Sequence, residues 1–175
     1  MKVALLPLGE VPGGVLGPLA ASLAGMRFDC STRGATAPPP HAYVPARGQW
    51  DADRLLQGLP ESPTETLVAV TEMDLFVEGM RFVFGLTDPD RRVAIVSVAR
   101  LRSPDPAVTH RRLLKEVVHE LGHAVGLAHC PHTACVMHFS NSLEDTDAKG
   151  VALCGACEAH LPEEAREPFS NRRRG

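Results

Sequence analysis

The chain has 175 residues, of which 44% are hydrophobic and 22% charged, and its formal net charge at pH 7 is −3. This balance indicates one folded domain, excludes a disordered chain and gives no reason to expect nucleic acid as a partner. No stretch approaches the ~20 apolar residues of a membrane span. Pro7, Glu10, Pro12 and Pro18 interrupt the apolar core that a signal peptide would need. We therefore expect a cytoplasmic protein with no membrane partner.

Strands and helices are predicted to alternate along residues 1–100. Helices are expected from about Gly17 to Met26 and from the N-cap Asp51 to Leu59. The proline-rich stretch 35–45 is expected to be a loop. Strands alternating with helices favour a mixed or parallel sheet packed by helices. Short runs rich in apolar and β-branched residues predict strands at 2–8, 27–32, 66–71, 82–86 and 92–98.

A longer helix is predicted from about Arg111 to Leu127, with Thr109 as its cap. Apolar residues repeat at helical spacing along it and predict a face buried in the core. These residues are Leu114, Val117, Val118, Leu121 and Val125. The histidines of this helix fall beside the apolar face, where they would lie at the edge of a cleft.

The histidines follow the pattern of a zinc site. Residues four apart lie on one face of a helix, so His119 and His123 can present two imidazoles to one metal ion. Gly126 permits the left-handed conformation that ends a helix, which lets His129 turn back as a third ligand. Three protein ligands leave one position of a zinc ion open for water, which is typical of a catalytic site, and Glu120 can act on that water as a general base. The alternative is a helix with surface histidines.

Four of the five cysteines form two pairs, Cys130-x4-Cys135 and Cys154-x2-Cys157. Two facing pairs of this kind are typical of a structural zinc ion held by four thiolates. The alternatives are disulfides, for which four cysteines allow three pairings, and a redox Cys-x2-Cys pair. A reducing compartment disfavours disulfides. Cys30 is expected to be a buried core thiol.

Two neighbouring residues would then hold two different metal ions, because His129 directly precedes Cys130. The structural zinc would fix the backbone that carries the third ligand of the catalytic zinc. We expect His132 and His138 to lie on the surface or to support the ligands rather than to bind metal.

The composition changes after Leu127, where apolar periodicity fades. We expect a single domain, 1–175, made of a sheet-and-helix subdomain, 1–127, and a small irregular subdomain, 128–175, which needs zinc to pack. A short helix is predicted within 145–154, and a second helix with a ragged end within 158–175. The basic run Arg172–Arg174 is expected to be a frayed tail.

The chain resembles a known family at these motifs. The pattern HExxHxxGxxH followed by Met137 resembles the metzincin clan of zinc peptidases. Cys130 directly after the third histidine, the stretch 135–142 and the pair at 154–157 resemble the archaemetzincin family in particular, from about Leu67 to Cys157. The resemblance implies an α+β fold with a mixed, mostly parallel sheet, packed helices and an active-site helix. It also implies that Met137 forms a Met-turn beneath the metal, the alternative being an ordinary core methionine.

The resemblance also bears on substrate binding. In metzincins an edge strand pairs with an extended peptide, and we expect the strand Val93–Val98 to be that edge. Phe139 stands where some metzincins carry a tyrosine that can approach the zinc. Stabilisation of the oxyanion is therefore expected from zinc and backbone groups, or from His138 or Asn141.

The sequence thus predicts a zinc metallopeptidase with two zinc ions per chain, acting on small or partly unfolded peptides. The alternatives are a zinc-holding or peptide-binding protein without turnover and a non-peptidase amidohydrolase. Glu120 favours the peptidase, because a binding protein needs no base beside the metal. An aminopeptidase would need an anion for the substrate amine. Glu72, Asp74 and Glu78 lie on a segment that could supply one, the alternative being a solvated loop. A monomer is favoured.

Overall fold

The computed structural model describes residues 1–169; Arg172–Arg174 and the end of the last predicted helix lie outside these residues. In chain order the strands and helices are β1 (Lys2–Pro7), α1 (Gly13–Gly25), β2 (Asp29–Thr32), β3 (Tyr43–Val44), β4 (Gln49–Asp51), α2 (Ala52–Gln57), β5 (Thr66–Thr71), β6 (Leu75–Phe76), β7 (Gly85–Asp88), β8 (Val93–Ser97), α3 (Pro106–Ala124), α4 (Leu143–Ala148), α5 (Gly155–His160) and α6 (Arg166–Phe169). No helix of this part of the chain is long and apolar enough to cross a bilayer.

The main sheet has five strands within residues 1–169, in the order β2-β1-β5-β8-β7. The first four run parallel, and β7 runs antiparallel to β8. β5 and β8 are buried along their whole length, as expected for central strands of a sheet covered on both faces. Helices α1 and α3 pack on one face and α2 packs on the other. The predicted α+β fold with a mixed, mostly parallel sheet is confirmed.

The edge of this sheet differs from the prediction. β8 lies between β5 and β7, so the expectation that Val93–Val98 forms an edge is wrong. The run Val93–Ser97 is apolar on both faces and fully buried, which suits an interior strand. The outermost strand on this side of the sheet is β7, a short strand that contains glycine, threonine and aspartate and is buried only in part. An extended chain that pairs with the sheet on the side of β8 would therefore have to add to β7.

The active-site helix begins earlier than predicted. Asp105, rather than Thr109, caps α3: its side chain accepts a hydrogen bond from the N–H of Ala107 at 2.8 Å. Pro106 suits the first helical position, where no intrahelical donor is needed. Thr109 instead accepts a hydrogen bond from the N–H of Ser103 at 2.9 Å. The apolar face of α3 packs on the sheet and thereby fixes the orientation of its histidines.

Other boundaries depart from the prediction for local reasons. α1 begins at Gly13, so Pro18 lies inside it at the cost of one backbone hydrogen bond. The stretch 35–45, expected to be a loop, contains β3, which forms a small sheet with β4 and β6 in the order β3-β4-β6. Strands of two or three residues are too short to show a periodic pattern. In the C-terminal part, α4 and α5 stand where short helices were expected, with shifted bounds.

Candidate active site and cysteine cluster

The three predicted histidines come together at the end of α3. One ring nitrogen from each of His119, His123 and His129 lies within 4.8 Å of the others. The Nε2 atoms of His119 and His123 are 3.0 Å apart, and the ring of His129 lies against both, with centroids at 5.3 and 4.7 Å. This grouping is the one predicted from the spacing.

Backbone carbonyls orient two of these rings. The Nδ1 of His119 donates to the carbonyl of Val136 at 2.8 Å, and the Nδ1 of His123 donates to the carbonyl of Leu127 at 2.7 Å. A carbonyl can only accept, so each Nδ1 carries the proton and each Nε2 presents a lone pair. Two lone pairs facing each other at 3.0 Å repel unless a cation lies between them. The donor set therefore fits a metal ion such as zinc, whose bonds to histidine are about 2.0–2.1 Å.

Burial keeps the imidazoles neutral, as metal binding requires. It lowers the pKa of His119 to about 2, and the positive charge of Lys149 adds to this effect. Burial also lowers the pKa of His123 and of His129. These shifts all favour the neutral imidazole, which is the form that binds a metal ion.

The turn after α3 brings the third histidine into place. Gly126 has a φ of +89°, in the left-handed region that favours glycine. The N–H of Gly126 donates to the carbonyl of His123 at 2.9 Å, and the N–H of Leu127 donates to that of Gly122 at 3.0 Å. These two bonds form a Schellman motif, which ends the helix and reverses the chain so that His129 returns to the other two ligands.

Glu120 points from α3 toward β7. It is buried, and the hydroxyl of Thr87 donates a hydrogen bond to its Oε2 at 2.6 Å. Burial raises the pKa of this carboxyl to about 8, while the hydrogen bond from Thr87 and the charge of Lys149 work against that rise. The carboxyl thus has a pKa near neutral pH and a fixed position, which are the properties of a general base.

The four predicted cysteines form a second cluster. Their sulfur atoms all lie within 4.8 Å of one another, with Cys130 and Cys154 at 3.7 Å and Cys135 and Cys157 at 3.8 Å. A tetrahedron with metal–sulfur bonds of about 2.3 Å has edges of about 3.8 Å. The thiols are free, and the disulfide alternative would need sulfurs about 2.05 Å apart. The spacing fits a tetrahedral metal site.

The surroundings of the cysteine cluster also suit a cation. The N–H of Cys154 donates to the sulfur of Cys135 at 3.3 Å, and the N–H of His132 to that of Cys130 at 3.5 Å. Burial raises the pKa of Cys135 and of Cys157, while a backbone hydrogen bond at Cys157 lowers the pKa of Cys154 to about 7. Four thiolates at this spacing therefore need a compensating positive charge.

A cleft of about 490 Å³ opens beside the histidines. Its polar groups are concentrated at the three histidines and Glu120, while most of the rest of its wall is apolar. Four consecutive residues from Phe84 to Thr87, including three of β7, also line it. The other apolar lining residues include Val77, Met80, Val83, Leu127 and Phe139. This arrangement offers an extended chain both an edge strand and an apolar pocket next to a metal-binding group.

A model of peptidase family M54 matches residues 46–163. The chain belongs to this family. It is 37% identical to an archaemetzincin of Pyrococcus furiosus, over 92% of each chain. It is also similar to the crystal structure of the archaemetzincin of Archaeoglobus fulgidus complexed with malonate, with 36% identity, a TM-score of 0.84 and coverage of 91% of this chain and 99% of that one. A zinc-dependent peptidase from Methanocorpusculum labreanum covers 91% of this chain and 100% of its own, with 29% identity and a TM-score of 0.80.

The protein is thus a zinc metallopeptidase, and the predicted archaemetzincin family and predicted activity are confirmed. The alternative without turnover is not favoured by these findings. The need for zinc is confirmed as well, since the family match agrees with the two clusters of ligating side chains.

Met137 lies under the active-site helix and is fully buried. Its sulfur occupies the space beside Gly122, where any Cβ would clash with it. Gly122 stands between Glu120 and His123 in the motif, so Met137 packs directly against the backbone that carries the ligands. The carbonyl of Met137 also accepts a hydrogen bond from the N–H of Cys130 at 2.9 Å.

A buried ion pair beside the active site was missing from the sequence-based prediction. Lys149 is 1% exposed and Glu116 is 3% exposed, and Lys149 donates to Glu116 at 3.1 Å. Thr146 donates to the other oxygen of Glu116 at 2.9 Å. Because Glu116 lies one turn before Glu120 on α3, the pair ties the end of α4 to the active-site helix. A lysine next to a glycine in a polar stretch gave no signal of this burial.

The remaining candidate site residues lie either in the cleft or close to it. Phe139 packs on the ring of His129, with centroids 4.8 Å apart. The Nδ1 of His138 lies 3.1 Å from the carbonyl of Cys130, and Asn141 lines a neighbouring polar groove rather than the cleft. Ser140, which was not singled out, does line the cleft, and its buried hydroxyl has no hydrogen-bond partner within residues 1–169.

Two of the three acidic residues considered for binding a substrate amino group already form ion pairs with arginines. Glu72 pairs with Arg102, and Asp74 pairs with Arg100. Glu78 is exposed and lies next to the cleft residue Val77. The geometry therefore offers no dedicated acidic pocket from Glu72 or Asp74.

Proposed function

We propose that His119, His123 and His129 hold the catalytic zinc ion and that Glu120 is the general base for peptide hydrolysis. The observation that carries this proposal is the convergence of three neutral imidazoles beside one buried carboxyl at the wall of the cleft. Zinc held by these residues would supply Lewis acidity, which would polarise a substrate carbonyl and lower the pKa of a bound water to about 7.

The protein's own groups then handle the proton and the substrate. Glu120 accepts a proton at its carboxylate from the attacking water as the water oxygen bonds to the scissile carbonyl carbon, and returns it to the leaving amine as the C–N bond breaks. The carbonyls of Val136 and Leu127 hold the ligand rings in one tautomer throughout. The apolar wall of the cleft limits water around the reacting groups and accepts an apolar substrate side chain.

The substrate in this proposal is an extended peptide that adds to β7. No strand within residues 1–169 pairs with the outer side of β7, and β7 runs along the cleft. Backbone pairing at a sheet edge requires an extended chain, which small or partly unfolded peptides can adopt and folded domains cannot. We therefore propose small or unfolded peptides as the substrate class.

We further propose a second, structural zinc ion at Cys130, Cys135, Cys154 and Cys157, which gives two zinc ions per chain. The sulfur spacing supports it, and reduced thiols agree with a cytoplasmic location. Met137 is proposed as the Met-turn because of its packing under the ligands.

We propose a boundary between subdomains 1–127 and 128–175, since α3 ends just before it. Both clusters and the cleft are built from one chain, which supports a monomer as the working unit.

The test separates metal binding from proton transfer. A peptide library digested by the zinc-loaded protein and read by mass spectrometry supplies a substrate. Glu120→Ala should keep both zinc ions and lose about 10²–10⁴-fold in turnover, because the histidines alone hold the metal. His123→Ala should lose one zinc ion together with activity. The exposed His41 is a matched control, and His41→Ala should keep both.

Equal cleavage by the native protein and by Glu120→Ala would contradict the assigned base. If His123→Ala retained two zinc ions, the three-histidine site would be wrong. If the fully zinc-loaded native protein cleaved no peptide of the library, the assignment of small or unfolded peptides as substrates would fail.

A further inference from the structure

The hydroxyl of Thr87 forms a hydrogen bond with the side chain of Glu120, the proposed base. Thr87 lies on β7 and donates to the Oε2 of Glu120 at 2.6 Å, and its Oγ1 is also 3.2 Å from the main-chain carbonyl of Glu120. The two residues are 33 positions apart in sequence. A short hydrogen bond to a carboxylate is among the stronger ones in proteins, so it holds one oxygen of Glu120 in place.

Gly85, two residues earlier on β7, provides the space for the same carboxylate. A Cβ at Gly85 would lie 2.6 Å from the Oε1 of Glu120 and 2.9 Å from its Cδ and Cγ. Residues two apart on a strand share a face, so Gly85 and Thr87 both face α3. Glu120 is thereby confined, with Oε2 on a hydrogen-bond donor and Oε1 against bare backbone.

The main chain of the same two residues faces outward. Phe84 lies opposite Ser97, and its carbonyl accepts a hydrogen bond from the N–H of Ser97 at 2.8 Å. In an antiparallel pair the residues that bond to the neighbouring strand alternate with those that do not. Leu86 therefore bonds to β8, while the N–H and C=O groups of Gly85 and Thr87 point to the outer edge. Thr87 thus faces the base with its side chain and the proposed peptide-binding edge with its backbone.

We propose that Thr87 is a positioning residue, which fixes the orientation of the Glu120 carboxylate relative to a peptide bound along β7. This inference rests on the proposed role of Glu120. A glutamate has three rotatable side-chain bonds, and a base displaced by about 1 Å can lose roughly 10²-fold in rate. A hydroxyl on the strand that also aligns the substrate removes that freedom.

Kinetics of four variants test the proposal. Thr87→Val keeps the shape and removes the hydroxyl; its kcat should fall about 10- to 100-fold, with KM within about 2-fold and zinc content unchanged. Thr87→Ala should show the same fall. Thr87→Ser keeps the hydroxyl and should retain most of the native kcat. Thr66→Val is the matched control: its hydroxyl is buried and has no hydrogen-bond partner in residues 1–169, so this variant should behave like the native protein.

A stability measurement tests the same contact without using activity. In the zinc-loaded protein, Thr87→Val leaves a buried carboxyl oxygen without its donor and should lower the melting temperature by about 3–6 °C. In a Glu120→Ala background the same change should cost clearly less, below about 2 °C, because the carboxyl partner is gone and only the 3.2 Å contact of the hydroxyl with the main-chain carbonyl of that residue is lost. A change that only disturbed packing would cost the same in both backgrounds.

The outcomes separate the two proposals. If Glu120→Ala is inactive but Thr87→Val has native kcat, Thr87 does not position the base, and the role of Glu120 stands. Equal losses for Thr87→Val and Thr87→Ser, or an equal stability cost in both backgrounds, would assign the effect to packing and overturn the inference. Native turnover by Glu120→Ala would overturn both.

Discussion

Burial shifts the pKa values of two active-site residues in opposite directions. Burial lowers the pKa of His119 to about 2 and raises the pKa of Glu120 to about 8. Both shifts favour the neutral side chain. The neutral imidazole is the form that binds metal, whereas Glu120 can accept a proton only as the carboxylate, which a cation held by the histidines would favour. Burial therefore prepares the histidines for metal, and bound metal would in turn prepare Glu120 as the base.

The shift at Glu120 predicts how stability depends on pH when the three-histidine cluster is free of metal. The native pKa lies above the ordinary value of 4.5, so the native state holds the proton more tightly than the unfolded state. The resulting stability is complete below about pH 4.5 and is lost as the pH rises through about 8. Between pH 6 and 9 the native protein should therefore lose about 5 °C or more in melting temperature relative to Glu120→Gln.

Thermal unfolding of both proteins across this pH range measures the difference, in which the shared titration of the cysteines cancels. The histidines act in the other direction: their contribution is present above about pH 6.5 and is lost on acidification. Parallel curves for the two proteins above pH 6 would contradict a raised pKa for Glu120.

At the scale of elements, the strand that forms the edge decides where a peptide can bind. With the main-chain groups of Gly85 and Thr87 facing outward, a paired peptide should alternate between residues that bond to β7 and residues that face away. When single amides along one good substrate are N-methylated in turn, with the scissile bond left unmodified, the loss in kcat/KM should therefore alternate from one residue to the next. Methylation at bonding positions should lower kcat/KM about 10-fold, and methylation at the positions between them should have little effect. A series without alternation would contradict pairing along β7.

Local sequence patterns predicted the helices and strands better than they predicted which strands lie next to each other in the sheet. The ligands on α3 and the turn at Gly126 depend on helical spacing and one glycine, so the sequence was sufficient to predict that His119, His123 and His129 would meet. The contact of Thr87 with Glu120 depends on which strand is outermost, and that choice was predicted wrongly. An apolar run such as Val93–Ser97 indicates burial on both faces, a signal that could have placed it inside the sheet.

At the scale of the whole molecule, the two clusters share one segment of chain. His129 and Cys130 are neighbours at its start, and Cys135 precedes Val136, whose carbonyl orients His119. The N–H of Val136 also donates to the carbonyl of Ala152 at 2.9 Å, just before the second cysteine pair. Metal binding at the cysteines would therefore hold two supports of the histidine cluster at once. The spacing of the cysteines predicted their cluster but only half of this coupling, because Val136 carries no sequence signal of its role.

This coupling predicts that loss of the cysteine site weakens the histidine site. Cys154→Ser should lose one zinc ion and at least about 10 °C in melting temperature, because metal binding contributes directly to folding. The remaining zinc ion should bind about 10- to 100-fold more weakly, as when a group that orients a ligand is removed. Competition with a chromogenic chelator measures that affinity, and Cys30→Ser, which alters a half-buried cysteine outside the cluster, should match the native protein. Retention of both ions at native stability would refute the four-cysteine site, whereas loss of one ion with native affinity at the other would refute only the coupling.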